Sequence, residues 1–223
     1  MPANLVDTQW IFVDLDGTLA DSLPGLTTSI AAAFAACGRA MPQLDLRPFI
    51  GPGIRTILQN LSPDVTVAEI DVMEKAFRAS YDTSGVLMTE LFPGAVPILH
   101  ALRQGGCELF VVTNKPKLAT ATLLEKFQLT GLFTEVLSRN SRQPPYGGKA
   151  EMLHELILHQ GADPANSLMV GDTAEDLEAA LSCGVPFVHA AYGYGTIPNP
   201  EVAAIATLSA LLDICCPPSR RNG

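Results

Sequence analysis

The sequence alternates short apolar segments rich in β-forming residues with longer segments of helical periodicity. Five apolar segments end abruptly at polar or turn-forming residues, as buried strands do at the edge of a sheet; they cover residues 10–15, 109–112, 133–137, 168–170 and 185–188. Helical patterns cover residues 95–104, 118–127, 150–160 and 174–183. Because strands that alternate with helices are joined by parallel crossovers, we predict an α/β fold with a parallel sheet covered on both faces.

One long segment interrupts this alternation. Residues 21–91 contain no convincing buried strand, and Pro and Gly signals divide them into helical patterns at residues 24–37, 44–49, 53–60 and 67–81. We therefore predict an inserted helical domain at residues 21–91. The core domain is then formed by residues 1–20 together with residues 92–223.

Charge and composition limit the classes of partner. The 223 residues carry 23 acidic and 14 basic side chains, a formal charge of -9, and the basic residues form no block stronger than Arg220-Arg221. We expect no nucleic-acid partner, because phosphate backbones are bound by clustered basic residues. No apolar run reaches the roughly 18 residues of a membrane span, the first nine residues do not resemble a leader peptide, and the cysteines suggest a reduced compartment. These features predict a cytoplasmic protein without membrane contact and leave its oligomeric state open.

Polar side chains follow the predicted strands at the edge where parallel α/β sheets bind ligands. They are Asp14, Asp16, Thr113, Asn114, Asp172 and Asp176, with Lys149 at the start of the helix before the fourth strand. Several carboxylates in one cleft repel each other unless a cation separates them. Mg²⁺ prefers such oxygen ligands and is commonly bound by one or two carboxylates together with a substrate phosphate.

This arrangement suggests phosphoryl transfer. With Mg²⁺ and Lys149 shielding the approach of a phosphate dianion, Asp14 could attack phosphorus as a nucleophile and form an aspartyl-phosphate. Asp16 could protonate the leaving alkoxide and then deprotonate the attacking water. Thr113 and the backbone amides of residues 15–17 would hold the phosphoryl oxygens.

Three runs resemble known motifs. Asp-Leu-Asp-Gly-Thr-Leu at residues 14–19, Val-Thr-Asn-Lys at 112–115 and Gly-Asp-Thr-Ala-Glu-Asp at 171–176, with a lysine between the last two, resemble the motifs of the haloacid dehalogenase-like hydrolase superfamily. Phe-Pro-Gly-Ala at 92–95 and Tyr-Gly-Tyr-Gly at 192–195 are similar to its phosphoglycolate phosphatase branch.

The resemblance implies a Rossmann-like core with a small α-helical cap that sets specificity. It also implies Asp14 as nucleophile, Asp16 as general acid and base, and Mg²⁺ on Asp14, the Asp16 carbonyl and Asp172, with Asp176 adjacent. Asn114, Gly17 and Arg55 are the candidate substrate-binding residues.

The expected function is that of a Mg²⁺-dependent phosphatase acting on a small soluble phosphomonoester. Phosphoglycolate-like compounds and sugar or nucleoside monophosphates are the substrate classes considered. Two alternatives remain open at this point. A phosphosugar mutase uses the same aspartyl-phosphate, and a catalytically silent regulatory protein could bind a phosphorylated ligand through the same residues.

Some assignments have competing interpretations. Lys149 is followed by Ala150, whereas the resembling branch commonly has proline there, so Lys115, Arg139 and Arg142 are alternatives for the phosphate-binding cation. Thr113 and Asn114 could instead cap the helix that follows them. Asp172 and Asp176 could be acidic residues favoured at a helix N-terminus.

Overall fold

The computed structural model describes residues 8–215. Its strands are β1 (Trp10–Val13), β2 (Ala20–Asp21), β3 (Glu90–Leu91), β4 (Glu108–Thr113), β5 (Glu135–Ser138), β6 (Ser167–Gly171), β7 (Phe187–Ala190) and β8 (Ala203–Ile205). Its α-helices are α1 (Leu23–Ala36), α2 (Ile54–Leu61), α3 (Val67–Ser80), α4 (Ala95–Gln104), α5 (Lys117–Lys126), α6 (Lys149–Gln160), α7 (Ala174–Ser182) and α8 (Ala210–Cys215). No helix within this part of the chain is both long and apolar enough to cross a membrane.

Six strands form one parallel sheet in the order β5-β4-β1-β6-β7-β8. The chain builds outward from β1 through β4 to β5, then crosses back to β6 on the other side of β1. The carboxyl end of β1 is therefore a topological switch point, where parallel sheets leave a crevice for ligands. The predicted α/β class is confirmed, and the sheet order brings the ends of β4 and β6 to either side of β1.

Side chains of β1 alternate between two cores. Ile11 and Val13 belong to the apolar cluster that includes α4, α5 and α8, whereas Phe12 belongs to the cluster that includes α6 and α7. Phe12 stacks on Phe110 of β4 with ring centroids 5.0 Å apart. Because both faces are covered, these strands are apolar along their whole length, which is why they read as continuous hydrophobic runs.

The helices α1, α2 and α3 lie between β2 and β3, which pair with each other as a separate antiparallel ribbon. α3 packs on α1, and its first turn is fixed by a capping box between Thr66 and Glu69. This arrangement supports the proposed division into a helical cap at residues 21–91 and a core, and the exact boundaries stay a prediction.

Several sequence expectations differ from the structure. Only a single 3₁₀ turn, Arg47–Phe49, stands where a helix at residues 44–49 was predicted. The strand predicted at residues 133–137 is shifted to β5 at Glu135–Ser138, and the strand predicted at residues 185–188 is shifted to β7 at Phe187–Ala190. The strands β2, β3 and β8 were missed, because two or three residues are too few to show a period of two.

A close backbone contact joins α1 to the irregular turn Tyr81–Gly85 that follows α3. A Cβ placed on Gly25 would lie 1.9 Å from the carbonyl oxygen of Gly85. We expect Gly25→Ala to lower the free energy of unfolding by about 2 kcal/mol or more, because the added methyl group forces the two segments apart.

Chemical denaturation measures this effect, with Gly53→Ala as the matched control. Gly53 has a φ of -64° and no atom within 4 Å of the position that its Cβ would take. We expect its substitution to change stability by less than about 1 kcal/mol. Equal stability of Gly25→Ala and the wild type would contradict the close packing of α1.

Candidate active site

Three buried carboxylates meet at the carboxyl ends of β1 and β6. Asp14 directly follows β1, and its amide donates a hydrogen bond of 3.0 Å to the carbonyl of Val170 in β6. Asp172 directly follows β6, and Asp176 lies one turn into α7. One carboxylate oxygen from each of the three aspartates lies within 4.8 Å of the other two. The sheet edge thus brings together three of the four acids that the sequence predicted there.

Lys149 is the cation of this cluster. It is the first residue of α6, and its side chain is 1% exposed. The Nζ atom lies 2.8 Å from Oδ2 of Asp14 and 2.7 Å from Oδ1 of Asp176. Burial lowers the pKa of Lys149, but the two carboxylates outweigh it and hold that pKa above its usual value. The ammonium group therefore stays charged beside Asp14.

One lysine does not balance three buried carboxylates. Burial raises the pKa of Asp14 to about 8; Lys149 opposes this rise, and Asp176 and Asp172 add to it. Burial and Asp176 likewise raise the pKa of Asp172. Oδ1 of Asp14 is buried and has no hydrogen-bond partner within residues 8–215. A hard divalent cation among these oxygens would relieve both the repulsion and the unsatisfied atom, so the donor set fits Mg²⁺.

Asp172 is held by a close-fitting backbone shell. Its Oδ2 accepts hydrogen bonds from the amides of Tyr194 at 2.8 Å and Gly195 at 3.3 Å. A Cβ on Gly17 would lie 2.2 Å from that same oxygen, and Gly17 also has a φ of +80°. The amide of Gly17 donates a hydrogen bond of 2.9 Å to the carbonyl of Ala20. A glycine is therefore required at position 17 because a larger residue would collide with Asp172, and the Gly17 amide is not available to a substrate phosphate.

Asp176 has two roles at once. Its Oδ2 accepts hydrogen bonds from the amide and hydroxyl of Thr173 in a capping box, so it does stabilise the start of α7. Its Oδ1 contacts Lys149. Both of its oxygens are thereby engaged, as are those of Asp172, whose Oδ1 accepts a hydrogen bond from the Thr18 hydroxyl at 3.3 Å. Among the three acids of the cluster, Asp14 is the one that keeps an oxygen without a partner in the described chain.

Asp16 lies outside the acid cluster but lines the same cavity as Asp14. Its two carboxylate oxygens lie 2.9 and 3.0 Å from Nζ of Lys115, which also lies 2.5 Å from the hydroxyl of Tyr81 after α3. Lys115 is buried, and its ammonium group sits 4.8 Å from the centre of the Tyr81 ring. Lys115 therefore neutralises Asp16, whereas Lys149 contacts Asp14, and the two lysines that competed for one role have different partners.

Thr113 and Asn114 do not cap α5, whose N-cap residue is Pro116. The Thr113 hydroxyl accepts a hydrogen bond from the amide of Lys115 at 3.2 Å. The Asn114 amide group donates to the carbonyl of Gly51, before α2, and to Glu175 in α7. Both residues line the cavity in front of Asp14, and Asn114 also links the sheet edge to the helical segment.

Arg55 is not brought to this cavity. Its guanidinium group forms ion pairs at 2.7 Å with Asp71 and 2.8 Å with Glu74 on the outer surface of the helices. We therefore move the proposed substrate contact from Arg55 to Arg139, which does line the cavity. Arg139 directly follows β5, so the strand-end rule that selected Asp14 and Asp172 could have found it too.

Arg142, another alternative for the phosphate-binding cation, is engaged elsewhere. Its guanidinium group pairs with Glu151 and Glu155 on α6 and lies 4.1 Å from the centre of the Tyr146 ring. It does not line the cavity.

Known proteins resemble this chain in sequence. The model of the haloacid dehalogenase-like hydrolase family matches residues 11–190. A phosphoglycolate phosphatase of Agrobacterium fabrum is 32% identical over 197 residues, which cover 85% of this chain and 83% of that protein. The tyrosine-protein kinase PtkA of Mycobacterium tuberculosis is 32% identical over 188 residues, which cover 84% of this chain but only 63% of that protein.

A solved structure shows the same fold. The crystal structure of a predicted phosphoglycolate phosphatase from Haemophilus somnus 129pt superimposes with a TM-score of 0.81 at 29% identity, covering 93% of this chain and 98% of that one. The motif resemblance is thereby confirmed, together with the expected enzyme class, a phosphoric monoester hydrolase. The chain belongs to the haloacid dehalogenase-like hydrolase family.

Proposed function

We propose that this chain is a Mg²⁺-dependent phosphatase that hydrolyses a small phosphomonoester through an aspartyl-phosphate on Asp14. The observation that carries the proposal is the state of the Asp14 carboxylate. One of its oxygens contacts Lys149 at 2.8 Å, and the other is buried without a hydrogen-bond partner in the described chain. Asp14 also lines the cavity, so a substrate that enters the cavity meets its carboxylate.

In the first step a carboxylate oxygen of Asp14 attacks phosphorus, and the bond from phosphorus to the ester oxygen breaks. Asp16, in its protonated form, donates its proton to the departing alkoxide. In the second step water attacks phosphorus of the aspartyl-phosphate and gives a proton to Asp16, so that inorganic phosphate leaves and Asp14 is regenerated. Lys149 holds positive charge beside the reacting oxygens throughout.

Asp14 and Asp172 would hold the metal, with Asp176 adjacent. When bound, Mg²⁺ supplies charge neutralisation for the phosphate dianion and the carboxylates around it. Asp172 suits this task because the amides of Tyr194 and Gly195 fix its orientation. Thr113 and Asn114, at the end of β4, line the cavity, which supports a role for them in contacting phosphoryl oxygens or the rest of the substrate.

Similar proteins carry names for opposite reactions, since one is a phosphoglycolate phosphatase and another a tyrosine-protein kinase. Product analysis therefore has to separate the candidates for this chain. Release of inorganic phosphate from a phosphomonoester indicates a phosphatase. Rearrangement of a sugar phosphate without phosphate release indicates a mutase, and binding without turnover indicates a regulatory protein.

We expect purified protein to release phosphate from members of a panel of phosphoglycolate, sugar phosphates and nucleoside monophosphates when Mg²⁺ is present. Asp14→Asn should abolish this activity, a loss of about a thousand-fold or more, because an amide cannot form the aspartyl-phosphate. Asp163→Asn, a substitution at a helix cap remote from the cavity, serves as the matched control. Activity that survives in Asp14→Asn would refute the mechanism.

The two buried lysines should differ in effect. We expect Lys149→Ala to lower kcat by about a hundred-fold or more, because Lys149 contacts the nucleophile. Lys115→Ala should lower kcat less, because Lys115 pairs with Asp16 and not with the nucleophile. Steady-state kinetics measures kcat for both variants and shows which substitution lowers it more. Lys75→Ala, which changes an exposed lysine of α3, is the control. Near-normal turnover of Lys149→Ala would mean that Lys149 is not the phosphate-shielding cation.

Metal binding should stabilise the fold independently of turnover. We expect saturating Mg²⁺ to raise the Tm of the wild type by about 5 °C or more, because a ligand that binds only the folded state adds its binding free energy to stability. Asp172→Asn should lose most of this shift, and Asp163→Asn should keep it. Thermal unfolding with and without EDTA measures both, and equal shifts in the two variants would exclude Asp172 as a ligand.

A further inference from the structure

The cavity in front of Asp14 is larger and more apolar than a phosphate group requires. Its volume is about 290 Å³, near the lower end of the roughly 300–1,000 Å³ typical of small-molecule sites. The transferring phosphoryl group fills only the end at Asp14, so most of this space belongs to the leaving group.

The helical segment supplies an apolar wall to this space. Five hydrophobic side chains from α1, α2, α3 and the loop before α2 line the cavity: Leu26, Ile50, Ile54, Ile57 and Phe77. The Phe77 ring stacks on that of Tyr81, which also lines the cavity, with centroids 5.3 Å apart. A leaving group made only of polar atoms would lose water here without gaining hydrogen bonds. The wall therefore favours a leaving group with an apolar body.

Four cationic side chains line the same cavity, and three of them already have carboxylate partners. Lys149 pairs with Asp14 and Asp176, Lys115 with Asp16, and Arg78 with Glu74. Within residues 8–215, Arg139 is the cavity-lining cation that forms no ion pair.

Arg139 is therefore available for a second negative charge on the substrate. Its guanidinium group makes one hydrogen bond, of 3.4 Å, to the side-chain oxygen of Asn114. It is half-buried, so an anion bound there would be partly shielded from water. A guanidinium group offers parallel donors that match the two oxygens of a carboxylate or the oxygens of a phosphate.

Building on the proposed phosphatase activity, we propose that the substrate is a phosphomonoester with an apolar leaving group that carries a second anionic group. The phosphoryl group lies at Asp14, the apolar body contacts the wall that includes Ile54, and Arg139 binds the second anion. Arg139 is thus a specificity-determining residue.

The test uses four phosphate esters of primary alcohols, so that the leaving alkoxides are alike in kind. Benzyl phosphate supplies an apolar body, phosphoglycolate a carboxylate, 4-carboxybenzyl phosphate both, and ethyl phosphate neither. We expect 4-carboxybenzyl phosphate to have the highest kcat/KM, about ten-fold or more above benzyl phosphate, which is the ratio expected for a hydrogen-bonded charged contact. Phosphoglycolate should rank below 4-carboxybenzyl phosphate.

Variants separate specificity from a structural role of Arg139. Arg139→Gln should bring the kcat/KM ratio of 4-carboxybenzyl to benzyl phosphate close to one, and Arg139→Lys should restore part of it. Arg103→Gln, which changes an arginine paired with Glu108 away from the cavity, should keep the wild-type ratio. Ile54→Asn should reduce the preference for benzyl over ethyl phosphate and leave a carboxylate preference in place.

The outcomes distinguish the two levels of the proposal. Phosphoglycolate matching or exceeding 4-carboxybenzyl phosphate would overturn the apolar leaving group. A carboxylate preference that persists in Arg139→Gln, or a loss that is equal for all four esters, would overturn the role of Arg139. Absence of Asp14-dependent phosphate release from every ester would instead overturn the phosphatase function on which the inference rests.

Discussion

The contact of Lys149 with the carboxylates of Asp14 and Asp176 is the interaction on which the site depends. Buried charges are tolerated only when they are paired and hydrogen-bonded. The fold satisfies most of this cluster internally, because Asp176 also caps α7 and Asp172 accepts backbone amides. One oxygen of Asp14 remains unsatisfied. Within this cluster, the carboxylate oxygen without a partner thus belongs to the residue at which we propose that phosphate and metal bind.

Close backbone packing keeps these acids in place. The Asp172 carboxylate sits between Gly17 and Gly193, where a Cβ on either residue would approach it to less than 3 Å. Gly17 belongs to the turn after β1, and Gly193 follows β7, so two segments that are far apart in the sequence pack against the same side chain. Tyr194 extends this link, because its hydroxyl accepts a hydrogen bond from the amide of Ser22 and donates one to the carboxylate of Asp21, just before α1. The metal-site carboxylate and the start of the helical segment are therefore connected through one residue.

The helical segment contributes to chemistry as well as to shape. Tyr81 reaches from the end of α3 to Lys115, which in turn holds Asp16, so the proposed acid and base is positioned partly by residues outside the sheet. The same segment forms the apolar wall of the cavity. In the function that we propose, the strand ends supply the reacting groups and Arg139, whereas the helices supply the apolar wall, and Asn114 and Lys115 lie where these parts meet.

Local patterns in the chain were sufficient to predict the α/β class and the acids at the sheet edge. Buried parallel strands are continuous apolar runs, and their polar terminal residues must converge wherever the strands align, so Asp14 and Asp172 could be chosen before any contact was known. Other features depended on contacts between segments far apart in the chain. Nothing in the sequence pairs Arg55 with Asp71 and Glu74, and only the folded chain shows that this pairing keeps Arg55 out of the cavity that Arg139 lines. The separate partners of Lys115 and Lys149, and the fit of Gly17 against Asp172, were likewise decided by tertiary packing, because side-chain pairing follows distance in space and leaves no periodic signal in the sequence.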